Sequence, residues 1–133
     1  MKRLLPFLLA LILIMTACDG VASTQKLSFI EGKALTVPMN NEEMALVGVY
    51  FDYTNGSGET RMPCDDFEVK AFQNGIELNI LVFTGTKTDG GIQCDTSVQS
   101  GITVKMVCLF VPEDLSTVTV ECSDGQKYAF EVG

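Results

Sequence analysis

The sequence contains no histidine in its 133 residues. Imidazole is the usual general base of nucleophile triads and the commonest zinc ligand, so most triad hydrolases and histidine-based zinc sites are excluded. The Gly-x-Ser-x-Gly elbow, the Gly-rich phosphate loop and the dinucleotide fingerprint are also absent from the sequence. These absences favour a protein that is not an enzyme, and we expect it to hold no cofactor.

Basic residues are scarce in the chain. It has 9 Lys and Arg residues against 17 Asp and Glu, which gives a formal net charge of -8. Proteins that bind nucleic acid need basic side chains to neutralise phosphates, so we expect no nucleic-acid partner. The acidic balance favours solubility of the domain but does not identify a ligand.

The start of the chain has the parts of an export signal. A basic start at Lys2 and Arg3 is followed by an apolar run over residues 4–15 and by two small residues. As a helix, this run with the two small residues would span about 21 Å, which is less than the roughly 30 Å of a bilayer's hydrocarbon core. We therefore predict a signal peptide over residues 1–17 rather than a permanent membrane span.

Residues Met15, Thr16, Ala17 and Cys18 resemble the lipobox of bacterial lipoproteins. The resemblance implies that the Cys18 thiol receives a diacylglycerol group and that the chain is cut between Ala17 and Cys18. Because each buried methylene contributes about 0.8 kcal/mol, the acyl chains would anchor the protein to the extracytoplasmic face of the cell membrane. The alternative is an ordinary secretory signal with a chance cysteine.

The rest of the chain divides into a tether and one domain. We expect residues 18–26 to form the lipidated N-terminus and a flexible tether, because they are too small and polar to pack a core. Residues 27–133 suffice for one domain with its own core. From Leu27 onward, apolar residues fall mostly at alternate positions between turn formers. This pattern predicts an all-β domain, a two-sheet antiparallel β-sandwich of about seven or eight strands, with a small barrel as the alternative.

The clearest predicted strand places Val47, Val49 and Phe51 on one face. Asn74-Gly75 lies between two strand-like runs and predicts a type I′ hairpin, because both residue types tolerate positive φ. No long amphipathic helix is expected. The predicted strands cover residues 26–30, 34–37, 45–54, 67–73, 76–82, 102–111, 117–122 and 126–132.

Five cysteines are present, and assigning Cys18 to lipid leaves Cys64, Cys94, Cys108 and Cys122 in an exported setting. Two disulfides are expected, and we pair Cys64 with Cys94 and Cys108 with Cys122. The second pairing rests on pleat direction, since both cysteines fall on the core side of their strands. The other connectivities stay open, and so does the alternative of buried thiols.

Several short motifs lie between residues 45 and 132. They are Val47-Gly48-Val49-Tyr50-Phe51 running into Thr54-Asn55, then Phe67-Glu68-Val69, Phe72-Gln73-Asn74-Gly75 with Leu78, and Gly101 opening an alternating strand. Together these motifs resemble the immunoglobulin-like domains of unknown function on lipoproteins of Gram-positive bacteria, which are relatives of secreted immunoprotective-antigen domains. The resemblance covers most of residues 45–132 and implies an immunoglobulin-like β-sandwich outside the cytoplasm with no known catalytic residues.

Four acidic residues in predicted loops are the candidates for chemistry. Asp65, Asp66, Asp89 and Asp95 could bind calcium or support carboxylate-dependent hydrolysis, although their spacing matches no EF-hand. Hydrated surface acids are the simpler interpretation. Four-cysteine zinc is disfavoured because the close Cys-x-x-Cys type of pair is missing from the sequence. We therefore predict no metal ligands.

Two further patterns have structural interpretations. Asn55-Gly56-Ser57 matches a glycosylation sequon but is interpreted as a hairpin turn. Five aromatic residues are expected in the core rather than on a ligand platform. They are Phe51, Phe72, Phe110, Tyr128 and Phe130.

The leading functional hypothesis is a non-catalytic, lipid-anchored module of the bacterial cell envelope. It would present loops or a sheet edge to an envelope protein or glycan, while the N-terminal lipid supplies contact with the membrane. The second hypothesis is an extracytoplasmic lipoprotein that binds a small ligand or calcium. A carboxylate-dependent hydrolase is the third.

Overall fold

The computed structural model describes residues 24–83 and 87–133. The predicted signal peptide, the cleavage site at Ala17, the lipidation site at Cys18 and most of the tether lie outside these residues. Within them, no helix is both long enough and apolar enough to cross a membrane.

The described residues form ten strands and one helical turn. The strands are β1 (Gln25–Met39), β2 (Glu42–Asn55), β3 (Val69–Gln73), β4 (Ile76–Glu77), β5 (Ile80–Leu81), β6 (Lys87–Thr88), β7 (Gly91–Ile92), β8 (Thr103–Phe110), β9 (Val118–Cys122) and β10 (Lys127–Phe130), and the helix is α1 (Pro63–Asp66).

Two sheets pack face to face and confirm the predicted all-β sandwich. In sheet 1 the strand order is β1-β2-β8-β7-β6, and β5 also pairs with β8. In sheet 2 the order is β10-β9-β3-β4. All pairs are antiparallel except β7 with β8, which is parallel.

The main core lies between the two sheets. Val47, Val49 and Phe51 of β2 are almost completely buried there, as their alternation predicts. Sheet 2 contributes Val118 and Val120 from β9. The wider cluster also includes Leu27, Tyr53, Val69, Ala71, Leu78, Ile92, Val98, Met106, Cys108, Phe110 and Cys122.

The turn chemistry is confirmed at Asn74-Gly75. Their φ angles are 52° and 80°, as a type I′ turn requires, and the turn joins β3 to β4. The structure adds a second turn of this kind at Asn40-Asn41, with φ angles of 49° and 68°, between β1 and β2. The sequence analysis missed it because Asn-Asn is a weaker hairpin signal than Asn-Gly.

Two predictions of where strands begin and end are wrong. The two short strands predicted before residue 38 are one strand, β1, with a register shift between Phe29 and Glu31. The single strand predicted over residues 76–82 is divided into β4 and β5, which belong to different sheets. The chain crosses between sheets where Leu78 is buried, at 4% exposure, and its N–H donates to the Ala71 carbonyl at 2.8 Å.

The expectation that Phe72 belongs to the core is also wrong. Along β3, Val69, Ala71 and Gln73 are buried, whereas Phe72 is only half-buried. Because successive strand residues point to opposite faces, Phe72 lies on the outer face of sheet 2.

The hairpin of β1 and β2 extends beyond the end of the neighbouring strand β8 of sheet 1. Pairing of β2 with β8 begins at Val47, so residues 42–46 pair with β1 alone among the described residues. We call residues 35–46 the arm. Its turn carries Asn40 and Asn41, and one face of the arm is apolar. A two-stranded arm that is apolar on one face must pack against another part of the chain or against a partner.

Candidate functional site

Sheet 1 is apolar on its outer face as well as its inner face. Leu46, Tyr50, Val107 and Leu109 point away from the main core and are nevertheless buried, with exposures of 1% or less. They form the outer cluster, against which six partly buried side chains pack: Leu35, Val37, Met44, Leu81, Phe83 and Val111. A sheet that is apolar on both faces needs cover on both faces, and here the cover is partial.

A groove remains beside the partial cover. It has a volume of about 870 Å³ and lies between residues 33–40 on one side and, on the other, a wall formed by Phe83 and residues 87–89. We call it the arm groove. Leu35, Val37 and Met39 supply apolar side chains from β1, and Lys33, Lys87 and Asp89 add charge.

Asp89 fastens one wall of the arm groove to the sheet. The Tyr50 hydroxyl donates to Asp89 Oδ2 at 3.0 Å, and Lys33 Nζ lies 3.0 Å from the same oxygen. The Lys33 hydrogen bond is the main cause that lowers the pKa of Asp89, and the Asp89 hydrogen bond raises the pKa of Lys33. Asp89 is therefore a fixed anion at this wall.

Tyr50 forms the floor of the outer face beneath two lysines. Lys33 Nζ and Lys105 Nζ each lie 5.1 Å from the centroid of its ring, which is cation–π geometry. Burial, followed by the hydrogen bond to Asp89, raises the pKa of Tyr50, so its hydroxyl stays protonated. Gly48 makes room for the ring, because a Cβ there would lie 2.9 Å from Tyr50 Cε1 and 2.8 Å from Leu35 Cδ2.

Gln93 supports the same wall from behind. It is 1% exposed, its Nε2 donates to Thr88 Oγ1 at 3.2 Å, and its Oε1 accepts from the Phe83 N–H at 3.3 Å. The Asp89-Gly90 turn, with φ angles of 49° and 80°, closes the β6–β7 hairpin beside it. The wall is thus held at both ends by buried or paired polar groups.

In the part of the chain that the structure describes, the outer edge of β1 is covered along its first half and open along its second half. Its first half is covered, since Gln126 Nε2 donates to the Leu27 carbonyl at 2.8 Å and the Tyr128 ring stacks on Phe29 at 4.1 Å. The second half, in the arm, has β2 as its only paired strand among the described residues. Sheet edges with unpaired N–H and C=O groups accept an additional extended strand.

The four acidic candidates do not come together. Asp89 belongs to the arm groove, Asp65 is exposed on α1, and Asp95 is half-buried after β7. Asp66 takes part in a polar network described below. Among residues 24–83 and 87–133, no group of three or more Cys, Asp or Glu side chains could hold a metal ion.

Asp66 is the centre of that polar network. It accepts from Tyr53 Oη at 2.6 Å, from Gln25 Nε2 at 2.7 Å and from Arg61 Nη2 at 2.6 Å. Burial raises its pKa, but these three hydrogen bonds together with the Arg61 charge outweigh burial and lower it. A carboxylate held in this way is a structural anion that ties β1, β2 and α1 together.

The four predicted disulfide cysteines are thiols in the structure. Cys108 and Cys122 are buried in the main core, on β8 and β9, as the pleat argument predicts. Cys64 is exposed on α1, and Cys94 is half-buried and packs against the core. The two disulfides therefore stay predictions.

Sequence analysis missed the arm groove, although a signal was present. Leu46 and Tyr50 alternate with the inward-facing Val47, Val49 and Phe51, so both faces of β2 are apolar. Such a run indicates a strand covered on both sides, and it points to a second apolar surface. Part of the cover comes from Phe83 and residues 87–89, which the sequence did not predict to lie against this surface.

A family model described as "Domain of unknown function (DUF5067)" matches residues 20–124. The chain belongs to the DUF5067 family. The matched range contains the arm, every residue that lines the arm groove and all four cysteines described here, while β10 lies beyond it. The DUF5067 domain is therefore this β-sandwich in nearly its whole extent.

Other comparisons add little to the DUF5067 assignment. A search of the curated proteins gives no match. One solved structure, the archaellum periplasmic stator protein FlaG from Sulfolobus acidocaldarius, is similar at 16% sequence identity, with 80% of this chain and 98% of that chain covered. The TM-score is 0.36, which is too low to carry an argument about fold or function.

Proposed function

We propose that this DUF5067 protein is a non-catalytic binding module of the bacterial cell envelope. Lipid on Cys18 holds it at the extracytoplasmic face of the membrane, and the arm groove receives an extended segment of an envelope protein. The observation that carries the proposal is the coincidence of a partly covered apolar face with an open strand edge on the same stretch of β1.

The arm supplies both kinds of contact that strand addition uses. Backbone groups of β1 between Lys33 and Val37 would pair with the incoming strand, and apolar side chains at alternate positions would enter the groove beside Leu35 and Phe83. Pro38 has no N–H, so it ends the ladder on that side and limits the length of a bound segment. The edge therefore suits a short extended segment of a partner better than open-ended strand-to-strand aggregation.

We also propose that the sandwich is immunoglobulin-like, and its strand order supports this. Strands β1, β2 and β8 lie side by side in one sheet, and β10, β9, β3 and β4 lie side by side in the other. In immunoglobulin-like domains the corresponding groups are A-B-E and G-F-C-C′. The fold alone does not define a function, so the binding role rests on the arm groove.

The test is site-specific photo-crosslinking of the full chain in the cells that make it. A photoreactive phenylalanine analogue replaces Val37 in the arm groove or, as the control, Thr119, which is exposed on β9 in the other sheet. We expect one defined protein adduct at position 37 and none at position 119. Mapping the adduct should identify an extended segment of the partner.

A second variant separates groove binding from simple proximity. Val37→Asp places a charge among the apolar side chains of the arm groove and should abolish capture from a photoreactive group at Thr36. Ala45→Asp, at an exposed position of the same arm, should leave capture unchanged. Capture of glycan alone, equal capture at positions 37 and 119, or no adduct at either position would each refute the proposal.

A further inference from the structure

Cys64 and Cys94 belong to two segments that lie side by side. The Cys64 N–H donates to the Cys94 carbonyl at 3.0 Å. Close by, Arg61 and Val98 form an antiparallel bridge, with N–H to carbonyl distances of 3.0 and 2.8 Å in the two directions. The α1 segment is thus fastened to the segment after β7 by three backbone hydrogen bonds.

The side chains of these two cysteines also meet. Burial, the neighbouring Cys64 and a hydrogen bond to the Cys64 side chain raise the pKa of Cys94 to about 12. Both residues line a crevice of about 300 Å³ between the sheets, and Cys108 lines it too. Cys64 is exposed, so a reagent in solvent reaches this thiol directly.

Cys108 and Cys122 are much less accessible than Cys64. They are only 5% and 6% exposed, and burial, which also raises the pKa of Cys94, is the main cause that raises the pKa of each thiol, in Cys122 to about 11. Their strands belong to different sheets, where Cys108 pairs with Val49 and Cys122 with Val69. Both thiols lie in the main core, so an oxidant in solvent reaches neither of them directly.

We infer that Cys64 and Cys94 are the oxidisable pair of this chain and form one disulfide at the rim of the crevice, whereas Cys108 and Cys122 remain thiols. The backbone contact already brings the two residues together, so the bond needs side-chain rotation rather than movement of a sheet. This replaces the expectation of two disulfides with one.

A low-molecular-weight disulfide such as oxidised glutathione is the oxidant. The Cys64 thiolate attacks one glutathione sulfur, which breaks the glutathione disulfide and releases one glutathione thiolate. The Cys94 thiolate then attacks Cys64 Sγ in the mixed disulfide and releases the second glutathione. The two cysteine protons end on the two glutathione thiols, and both cysteines are oxidised while one disulfide is reduced.

Tryptic mapping of the full chain tests this pairing. After incubation with oxidised glutathione, the protein is unfolded in an alkylating reagent and digested. Cleavage after Lys and Arg gives fragments 62–70 with Cys64, 88–105 with Cys94, and 106–127 with both Cys108 and Cys122. We expect the first two fragments linked to each other, and fragment 106–127 carrying two alkyl groups.

Every other result overturns the inference. Fragment 106–127 without alkyl groups and two hydrogens lighter would show a Cys108–Cys122 bridge, and a link from this fragment to either of the others would show a different pairing. Fragments 62–70 and 88–105 recovered alkylated and separate would show that the pair does not oxidise.

A variant series gives an independent measurement. Oxidation should raise the melting temperature of the wild-type protein, and Cys64→Ser should remove that difference without lowering the reduced protein's melting temperature, since Cys64 is exposed. Cys122→Ala is the control, because it should keep the oxidation-dependent difference even though a core substitution lowers both values. Loss of the difference in Cys122→Ala, or its persistence in Cys64→Ser, would contradict the pairing.

Discussion

The Tyr53 hydroxyl donates a hydrogen bond of 2.6 Å to the Asp66 carboxylate, joining the end of β2 to α1. Tyr53 is completely buried, and the Asp66 side chain is 9% exposed. Arg61 and Gln25 also donate hydrogen bonds to the same carboxylate. A charge at this depth is tolerated because four donor groups from three residues replace its hydration.

Replacing Asp66 with Asn tests the energetic weight of this network. Asp66→Asn keeps the side-chain shape but removes the negative charge to which Arg61 and Tyr53 donate hydrogen bonds. We therefore expect the free energy of unfolding, measured in urea at neutral pH, to fall by about 1–3 kcal/mol. Asp65→Asn is the matched control, since Asp65 is exposed and should change the free energy of unfolding by less than about 0.5 kcal/mol. Equal effects of the two substitutions would contradict a special role for Asp66.

The same carboxylate predicts how stability depends on pH. The folded pKa of Asp66 is below its unfolded value of about 3.9, so its contribution is fully present above that value and is lost as pH falls through the folded pKa. The stability difference between wild type and Asp66→Asn should therefore shrink as pH falls below about 4. Urea titrations from pH 7 to pH 2.5 measure it, and a constant difference across that range would contradict the assignment.

Asn55 is a second polar residue on which the sandwich depends. It is fully buried, and its Nδ2 donates to the Glu59 and Val98 carbonyls at 2.8 Å each, while Oδ1 accepts from the Ser57 N–H and hydroxyl. Asn55→Asp loses both donations and buries a charge, so we expect a loss of about 2–4 kcal/mol in urea unfolding. Asn74 is exposed, so Asn74→Asp should lower the free energy of unfolding by an amount several times smaller.

The turns and one face of the strands were predictable because their signals are local. Asn74-Gly75 specifies positive φ in two adjacent residues, and the alternation of Val47, Val49 and Phe51 depends only on the two-residue period of a strand. The division of β4 from β5 was not predictable, because it depends on Leu78 entering a core whose other side is formed by distant strands.

The polar sites were less accessible to sequence reasoning than the fold. Asp66 was selected with three other acids for possible metal binding, but its partners Gln25 and Tyr53 are 41 and 13 residues away in the chain. Only the tertiary structure shows that the carboxylate is paired with the Arg61 guanidinium rather than with a metal ion. The arm groove was missed for a similar reason, since its wall comes from a segment with no periodic pattern of its own.

The wall of the arm groove should loosen when the Tyr50 hydroxyl is removed. Tyr50→Phe deletes the hydrogen bond to Asp89 and costs about 1 kcal/mol locally, so amide hydrogens of residues 87–90 should exchange about fivefold faster. Tyr53→Phe is the control, because it removes a buried hydroxyl of the Asp66 network and should leave these amides unaffected relative to the rest of sheet 1. Unchanged exchange in Tyr50→Phe would contradict this role of the hydroxyl and leave Lys33 and Gln93 as the groups that hold the wall.

The lipid anchor is tested by the mass of the mature N-terminus. In wild-type protein extracted from membranes, tryptic fragment 18–26 should begin at Cys18 and carry a thioether-linked diacylglycerol, with residues 1–17 removed. Cys18→Ala lacks the thiol that accepts the lipid, so it should retain residues 1–17 and carry no acyl group. Cys64→Ser is the control and should keep the acylated fragment, because its cysteine lies in the folded domain. An unmodified thiol at Cys18 in the wild type would exclude the anchor, and the proposed position at the membrane surface would then have to be abandoned.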